Sequence, residues 1–141
     1  MNPTPPLLSD RYQLGETLGF GGMSEVHYAR DLLLNRDVAI KVLPPSVSGD
    51  HDRLARFERE ARTLASLNHP NVAQVYGLEE GQAGPAGQAG LFLVMELLEG
   101  HALSDLLVDG ALPTRKAIDY AGQMARGLAA AHERGDRKSV V

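Results

Sequence analysis

The glycine cluster Gly19-Phe20-Gly21-Gly22 constrains this chain most, because of what stands on either side of it. Before it, residues 12–18 alternate and carry Tyr, Leu and Thr, the marks of a strand. After it, Glu25-Val26-His27-Tyr28-Ala29-Arg30 reads as a second strand, not a helix. Asn35-Arg36-Asp37 reads as a turn, and residues 38–43 as a third strand. Connections this short suit an antiparallel meander, since a parallel pair needs a crossover of about a dozen residues or more.

The rest of the chain turns helical around this meander. Pro44 and Pro45 end the third strand, and residues 52–67 form the clearest helix. There Leu54, Phe57, Ala61 and Leu64 share one face and arginines cover the other. His69-Pro70-Asn71 ends that helix. Residues 72–78 and 91–97 read as two more strands, and 81–90, built only from Gly, Ala, Gln and Pro, as a flexible hairpin tip. Past Gly100 come a short helix over 102–108 and a longer one over 114–134, capped by Thr114. Its apolar stripe is Ile118, Ala121, Met124, Ala125 and Leu128, and His132 continues the stripe as a packed residue. Proline-rich residues 1–9 read as a flexible tail. The expected fold class is α+β: a five-stranded antiparallel sheet with one helix, then helices alone.

Composition narrows the function classes. A length of 141 residues suits one domain or part of a larger one. Acids outnumber bases 18 to 14, which argues against a basic nucleic-acid grip. With no cysteine, disulfides, thiolate metal sites and a cysteine nucleophile are excluded. The longest apolar run, 91–95, is far short of the roughly 20 residues that span a bilayer. The N-terminus lacks the basic start and apolar stretch of a signal peptide, so a cytoplasmic chain without a membrane segment is expected. Its histidines are scattered without ligand spacing, so no metal site is expected.

Glycines let a backbone approach an anion closely, and loop amides can then bind phosphate oxygens. Read alone, residues 18–26 fit an ordinary hairpin turn as well as a phosphate cradle. A dinucleotide-binding turn fits poorly, because Ser24 holds the third glycine position and a strand follows. No Gly-Lys-Ser/Thr occurs, so a Walker loop is excluded. Lys41 stands in Val38-Ala39-Ile40-Lys41-Val42-Leu43, a strand apolar on both faces. It either snorkels to water from an edge strand or is buried, and a buried ammonium needs an anion beside it. Glu60 falls inside the apolar arc of Phe57, Ala61, Leu64 and Leu67, so it either reaches solvent from the flank or answers Lys41.

Together these residues resemble the N-terminal half of a protein kinase domain, and most closely the bacterial eukaryotic-like (Hanks-type) serine/threonine kinases. Leu18-Gly19-Phe20-Gly21-Gly22-Met23-Ser24-Glu25-Val26-His27 is similar to their glycine-rich loop, and Val38-Ala39-Ile40-Lys41 to their lysine motif. Phe57-Glu58-Arg59-Glu60-Ala61 resembles the helix that carries the partner glutamate. His69-Pro70-Asn71-Val72 and Met95-Glu96-Leu97-Leu98-Glu99-Gly100 resemble the next landmarks. The resemblance implies a small lobe over about 10–98 and the start of a large lobe over 99–135. It implies ATP as ligand, Mg2+ in the complete domain, and phosphoryl transfer to serine or threonine of protein substrates. Residues Gly19, Phe20, Gly21, Gly22, Met23, Ser24 and Glu25 would then cover ATP, with the backbone of 19–24 on its phosphates. Lys41 would contact the α- and β-phosphates and be held by Glu60. Leu18, Val26 and Ala39 would line the adenine pocket, Met95 would be the gatekeeper, and the backbone of Glu96 and Leu98 would bond the adenine edge.

The resemblance also places a His-Arg-Asp catalytic loop after the last helix. Here Ala131-His132-Glu133-Arg134-Gly135 is followed by Asp136-Arg137-Lys138-Ser139-Val140-Val141. The catalytic-loop Asp, the metal-binding Asn and Asp-Phe-Gly do not occur. The chain is therefore expected to be an inactive fragment with the ATP grip alone. Residues 136–141 are expected to be a non-native tail, because GAT CGG AAG AGC GTC GTG, a run found in a common sequencing adapter, encodes them. A membrane anchor beyond this end is compatible with the family. The alternative is a non-catalytic nucleotide-binding or interaction module of pseudokinase type, told apart by whether the gene continues into His-Arg-Asp and Asp-Phe-Gly.

Overall fold

A computed structural model describes residues 7–21, 24–43, 51–83 and 88–134. Among the described residues six strands form one antiparallel sheet. They are β1 (Leu7–Leu8), β2 (Tyr12–Gly21), β3 (Ser24–Asp31), β4 (Arg36–Val42), β5 (Val75–Ala83) and β6 (Gln88–Met95). Their spatial order is β1-β2-β3-β4-β6-β5. Helix α1 (His51–Ala65) lies between β4 and β5 in sequence, and α2 (Leu103–Leu106) and α3 (Thr114–Glu133) follow the sheet. This is the expected α+β architecture, with a sixth strand.

At Leu7 and Leu8 the extra strand corrects the reading of residues 1–9 as a flexible tail. Ser9 and Asp10 both take φ of 53°, which turns the chain back so that Leu8 pairs with Tyr12. Leu8 is fully buried. The prolines, which lie in residues 1–6 outside the described residues, had masked the two leucines behind them. The hairpin tip needs a correction too. Gly81 pairs with Gly90, Gln82 with Ala89 and Ala83 with Gln88, so the strands run into the tip. A backbone ladder needs no side chains, which is why composition alone read this stretch as loop. Residues 84–87 lie outside the described residues. The turn read at Asn35-Arg36-Asp37 is earlier: Asn35 takes φ of 54° and β4 starts at Arg36.

Strand β4 runs through the middle of the sheet and is apolar on both faces, as its sequence demands. On one face Val38 and Ile40 join Leu8, Tyr12, Ala29, Phe92 and Val94 in a buried cluster. Tyr12 and Phe92 meet edge to face at 5.9 Å within it. On the other face α1 packs through Ala61, Phe57 and Leu64 against Val75, Leu78, Leu93 and Met95. Leu93 stands opposite Lys41 and Met95 opposite Ala39, so α1 covers the face that carries Lys41.

An ion-pair network that the sequence reading did not find closes the far end of the sheet. Asp31 is fully buried at the end of β3. Its carboxylate receives Arg11 Nε at 3.0 Å and a second guanidinium nitrogen at 2.9 Å, and the backbone N–H groups of Leu33 and Leu34 at 3.0 and 3.1 Å. Arg11 also reaches Glu79 on β5 at 3.6 Å, and the Tyr12 phenol donates to Glu79 at 3.2 Å. The hydrogen bonds from Arg11 hold the Asp31 carboxyl down at about 2, against an ordinary 3.8. A carboxyl depressed on folding stabilises the fold above its unfolded pKa, and that contribution fades as pH falls through the folded value. Asp31→Asn should therefore cost about 2 kcal/mol in urea unfolding at pH 7, with the gap to wild type closing between about pH 4 and pH 2. An undiminished gap at the acid end would assign the loss to packing instead of charge.

Helix α3 is tied to the loop after α1 by its second half. Gly127 and Ala131 are buried, and the Asn71 side-chain amide donates to Gln123 at 3.3 Å. A Cβ on Gly127 would come within 2.8 Å of the Asn71 carbonyl, so only glycine allows this approach. Thr114 is the first helical residue and not the cap, a place taken by Pro113 without a side-chain bond. The stripe read as core-facing is largely exposed, with Ile118 at 67% and Met124 at 44%, and His132 is exposed rather than packed.

Candidate functional site

Strand pairing gathers the sequence-predicted residues onto one face. Val26 on β3, Lys41 on β4 and Leu93 on β6 stand directly opposite one another in a row. The next row is Tyr28, Ala39, Met95 and Val75. Directly opposed residues of an antiparallel pair share a face, so Val26, Ala39, Lys41 and Met95 form one apolar floor with one ammonium. Lys41 is half-buried, not buried. Glu60 is half-buried on α1, the helix over this face, and no ion pair within 4.0 Å joins it to Lys41 among the described residues.

The glycine cluster is the tip of the β2–β3 hairpin. Gly19 stands opposite Val26, Phe20 opposite Glu25, and Gly21 opposite Ser24. Ser24 is buried, Glu25 is exposed, and Leu18 is 48% exposed. Gly22 and Met23 lie outside the described residues, as does the side chain of Phe20. The ladder shifts register on both sides of Thr17. At that irregularity the His27 ring bridges Thr17 Oγ1 at 3.4 Å and Glu25 Oε2 at 3.2 Å, linking β2 to β3 below the tip.

Behind the floor, the end of β6 is held by a residue that sequence reasoning missed. The Glu96 N–H donates to the Gln74 carbonyl at 2.8 Å, and the Gln74 N–H donates to the Glu96 carboxylate at 3.0 Å. That commits the Glu96 amide and leaves its carbonyl unused among the described residues, as is the Leu98 N–H. One carbonyl acceptor and one amide donor thus stand two residues apart just after β6. A glutamate ending an apolar strand was the visible signal, but nothing in the sequence tied it to Gln74.

The outer end of the floor carries a polar cluster. The Tyr28 phenol donates to the Asp37 carboxylate at 2.6 Å, and Arg30 donates to the same oxygen at 2.8 Å. Arg30 also donates to the Asn35 backbone and side-chain oxygens. These bonds hold the Asp37 carboxyl below its usual range and the Tyr28 phenol above its own. A cavity of about 420 Å³ that shares Glu96 and Leu98 with this end of the sheet opens toward the loop after α1 and α3, lined by Pro70, Ala73, Tyr120 and Met124 among others. None of Val26, Ala39 and Lys41 lines it. No group of three or more His, Asp or Glu stands at metal-holding distance among the described residues.

The pattern of the protein kinase domain matches residues 12–137. This chain belongs to the protein kinase domain family. Among its relatives is the serine/threonine-protein kinase PknB of Mycobacterium leprae, 47% identical over 135 residues, covering 94% of this chain and 21% of that protein. PknA of Mycobacterium tuberculosis is 43% identical over 129 residues, covering 91% and 30%. The crystal structure of the Mycobacterium tuberculosis PknI kinase domain superposes with a TM-score of 0.76 at 25% identity, covering 96% of this chain and 53% of that one. The chain thus spans about half of a solved kinase domain and a smaller share of the curated relatives. The match corresponds to the N-terminal part of a protein kinase domain, with an antiparallel small-lobe sheet and part of the large lobe. No helix among the described residues is long and apolar enough to cross a membrane.

Proposed function

We propose that this half-domain grips ATP for a kinase that phosphorylates serine or threonine of other proteins. The observation that carries the reading is the shared face of Val26, Ala39, Lys41 and Met95, which ends beside the uncommitted Glu96 carbonyl and Leu98 N–H. Adenine lies against Val26 and Ala39 with Met95 at the back, and its edge bonds the two backbone groups. Leu18 closes over it from β2. The amides of 19–24 and the Lys41 ammonium hold the phosphates, which suits a concentrated negative charge. Glu60 orients Lys41 once α1 draws its carboxylate within bonding distance, so helix position sets the competence of the site.

The residues that hold Mg2+ and accept the substrate proton in this family have no counterpart among these 141 residues. Mg2+ neutralises the developing phosphate charge in the complete domain, and the part of this chain is confined to binding and orienting the nucleotide. The domain works on the cytoplasmic side, where ATP is abundant.

The purified 141-residue chain should transfer no radiolabel from ATP to protein. Joined to the catalytic half of a PknB-type kinase, it should restore transfer to serine and threonine. A joined protein that binds ATP but never transfers its phosphate would favour the pseudokinase reading. Transfer by the chain alone, free of host kinases, would overturn the division of labour.

A further inference from the structure

Tyr28 occupies the same face as Val26 and Ala39, and stands directly opposite Ala39. A tyrosine beside the adenine floor can lie in either direction along that face. Here its phenol bonds Asp37, which pairs with Arg30 two residues further from the glycine-rich tip. The ring therefore runs outward along β3, away from Val26. Its near edge rests where β2 has a glycine: a Cβ on Gly15 would meet Tyr28 Cδ1 at 2.6 Å and Cε1 at 3.4 Å. Cδ1 is close to the root of the side chain, so the ring cannot yield by a small flex of its tip. Any side chain at Gly15 must move the whole ring, and along this face its neighbours away from Asp37 are Val26 and Ala39.

We propose that Gly15 and Asp37 together hold Tyr28 out of the nucleotide cleft, making Tyr28 a positioning residue that closes the site to adenine when released. The inference rests on the ATP reading above. Gly15 gives the ring a seat, Asp37 gives the phenol an anchor, and Arg30 with Asn35 fixes the anchor. Both restraints lie outside the glycine-rich tip, so they govern access to the adenine floor and not the grip on the phosphates.

The test uses the full 141-residue chain and two readouts. In nuclear Overhauser spectra, Tyr28 ring protons should contact the Gly15 α-protons in wild type. In Gly15→Val they should contact the methyls of Val26 and Ala39. ATP affinity by calorimetry should fall about tenfold or more in Gly15→Val, and return toward wild type in Gly15→Val with Tyr28→Ala, which removes the ring. Asp37→Ala should show a smaller loss with the same rescue. If the ring contacts do not move in Gly15→Val, or if deleting the ring fails to rescue affinity in a variant with native circular dichroism, the inference is wrong. If wild type itself binds no ATP, the nucleotide reading fails, while the ring contacts still decide the position of Tyr28.

Discussion

Lys41→Met, in this half-domain joined to a PknB-type catalytic half, should lower phosphoryl transfer by at least about 10²-fold. The loss should fall mainly on turnover, because an ammonium on the phosphates is worth most as charge redistributes in the transition state. The fold should survive. Full burial of Lys41 against Glu60 would have made the substitution cost on the order of 3–5 kcal/mol, through the charge left behind. Lys41 is instead half-buried, and no ion pair within 4.0 Å joins it to Glu60 among the described residues. The cost in stability should therefore be about 1 kcal/mol or less. Steady-state kinetics with thermal melts on both proteins separates the two effects. Retained turnover would remove Lys41 from the site, and a collapse in melting temperature would mean its role is structural.

The second large effect concerns the segment after the sheet. Leu98, Leu107, Val108, Ile118 and Met124 are all exposed, with Val108 at 80% and Ile118 at 67%. Their summed exposed apolar area is on the order of several hundred Å², the scale at which apolar surface promotes association. The chain should self-associate as its concentration rises, and Ile118→Glu with Met124→Gln should shift it toward monomer in sedimentation. Neither side chain supports the buried core, so the melting temperature should hardly change. Hydrogen exchange should be slowest in 38–43 and 91–96, where both sheet faces are covered, and faster in 114–134. A chain that stays monomeric at high concentration, with equal protection in both regions, would contradict this.

The legible parts of the fold were those whose signal is local. Alternation placed β2, β3 and β4, and the spacing of Phe57, Ala61 and Leu64 placed α1 on the correct face. Order and spacing of short motifs then assembled a face that includes Val26, Ala39, Lys41 and Met95. What escaped were features made by partners distant in sequence. Asp31 reads as an ordinary acid before a leucine run, and only the pairing of β2 with β3, which sets Tyr12 opposite Asp31, brings Arg11 to it. Gln74 and Glu96 are 22 residues apart, and their mutual bonds depend on β5 lying beside β6. The stripe on α3 was read as core because periodicity reports an apolar face, not whether anything covers it. The seats at Gly15 and Gly127 show only once a neighbour is in place.

The central claim is that the face bearing Val26, Ala39 and Lys41, with the backbone of Glu96 and Leu98, is an ATP site. Backbone amide spectra of the chain titrated with ATP test it most directly. The account predicts saturable shifts concentrated at 19–26, Ala39, Lys41 and the Leu98 amide, with weaker binding than a whole kinase domain shows. Shifts confined to the residues that line the neighbouring cavity, with none at Ala39 and Lys41 at saturating nucleotide, would contradict it.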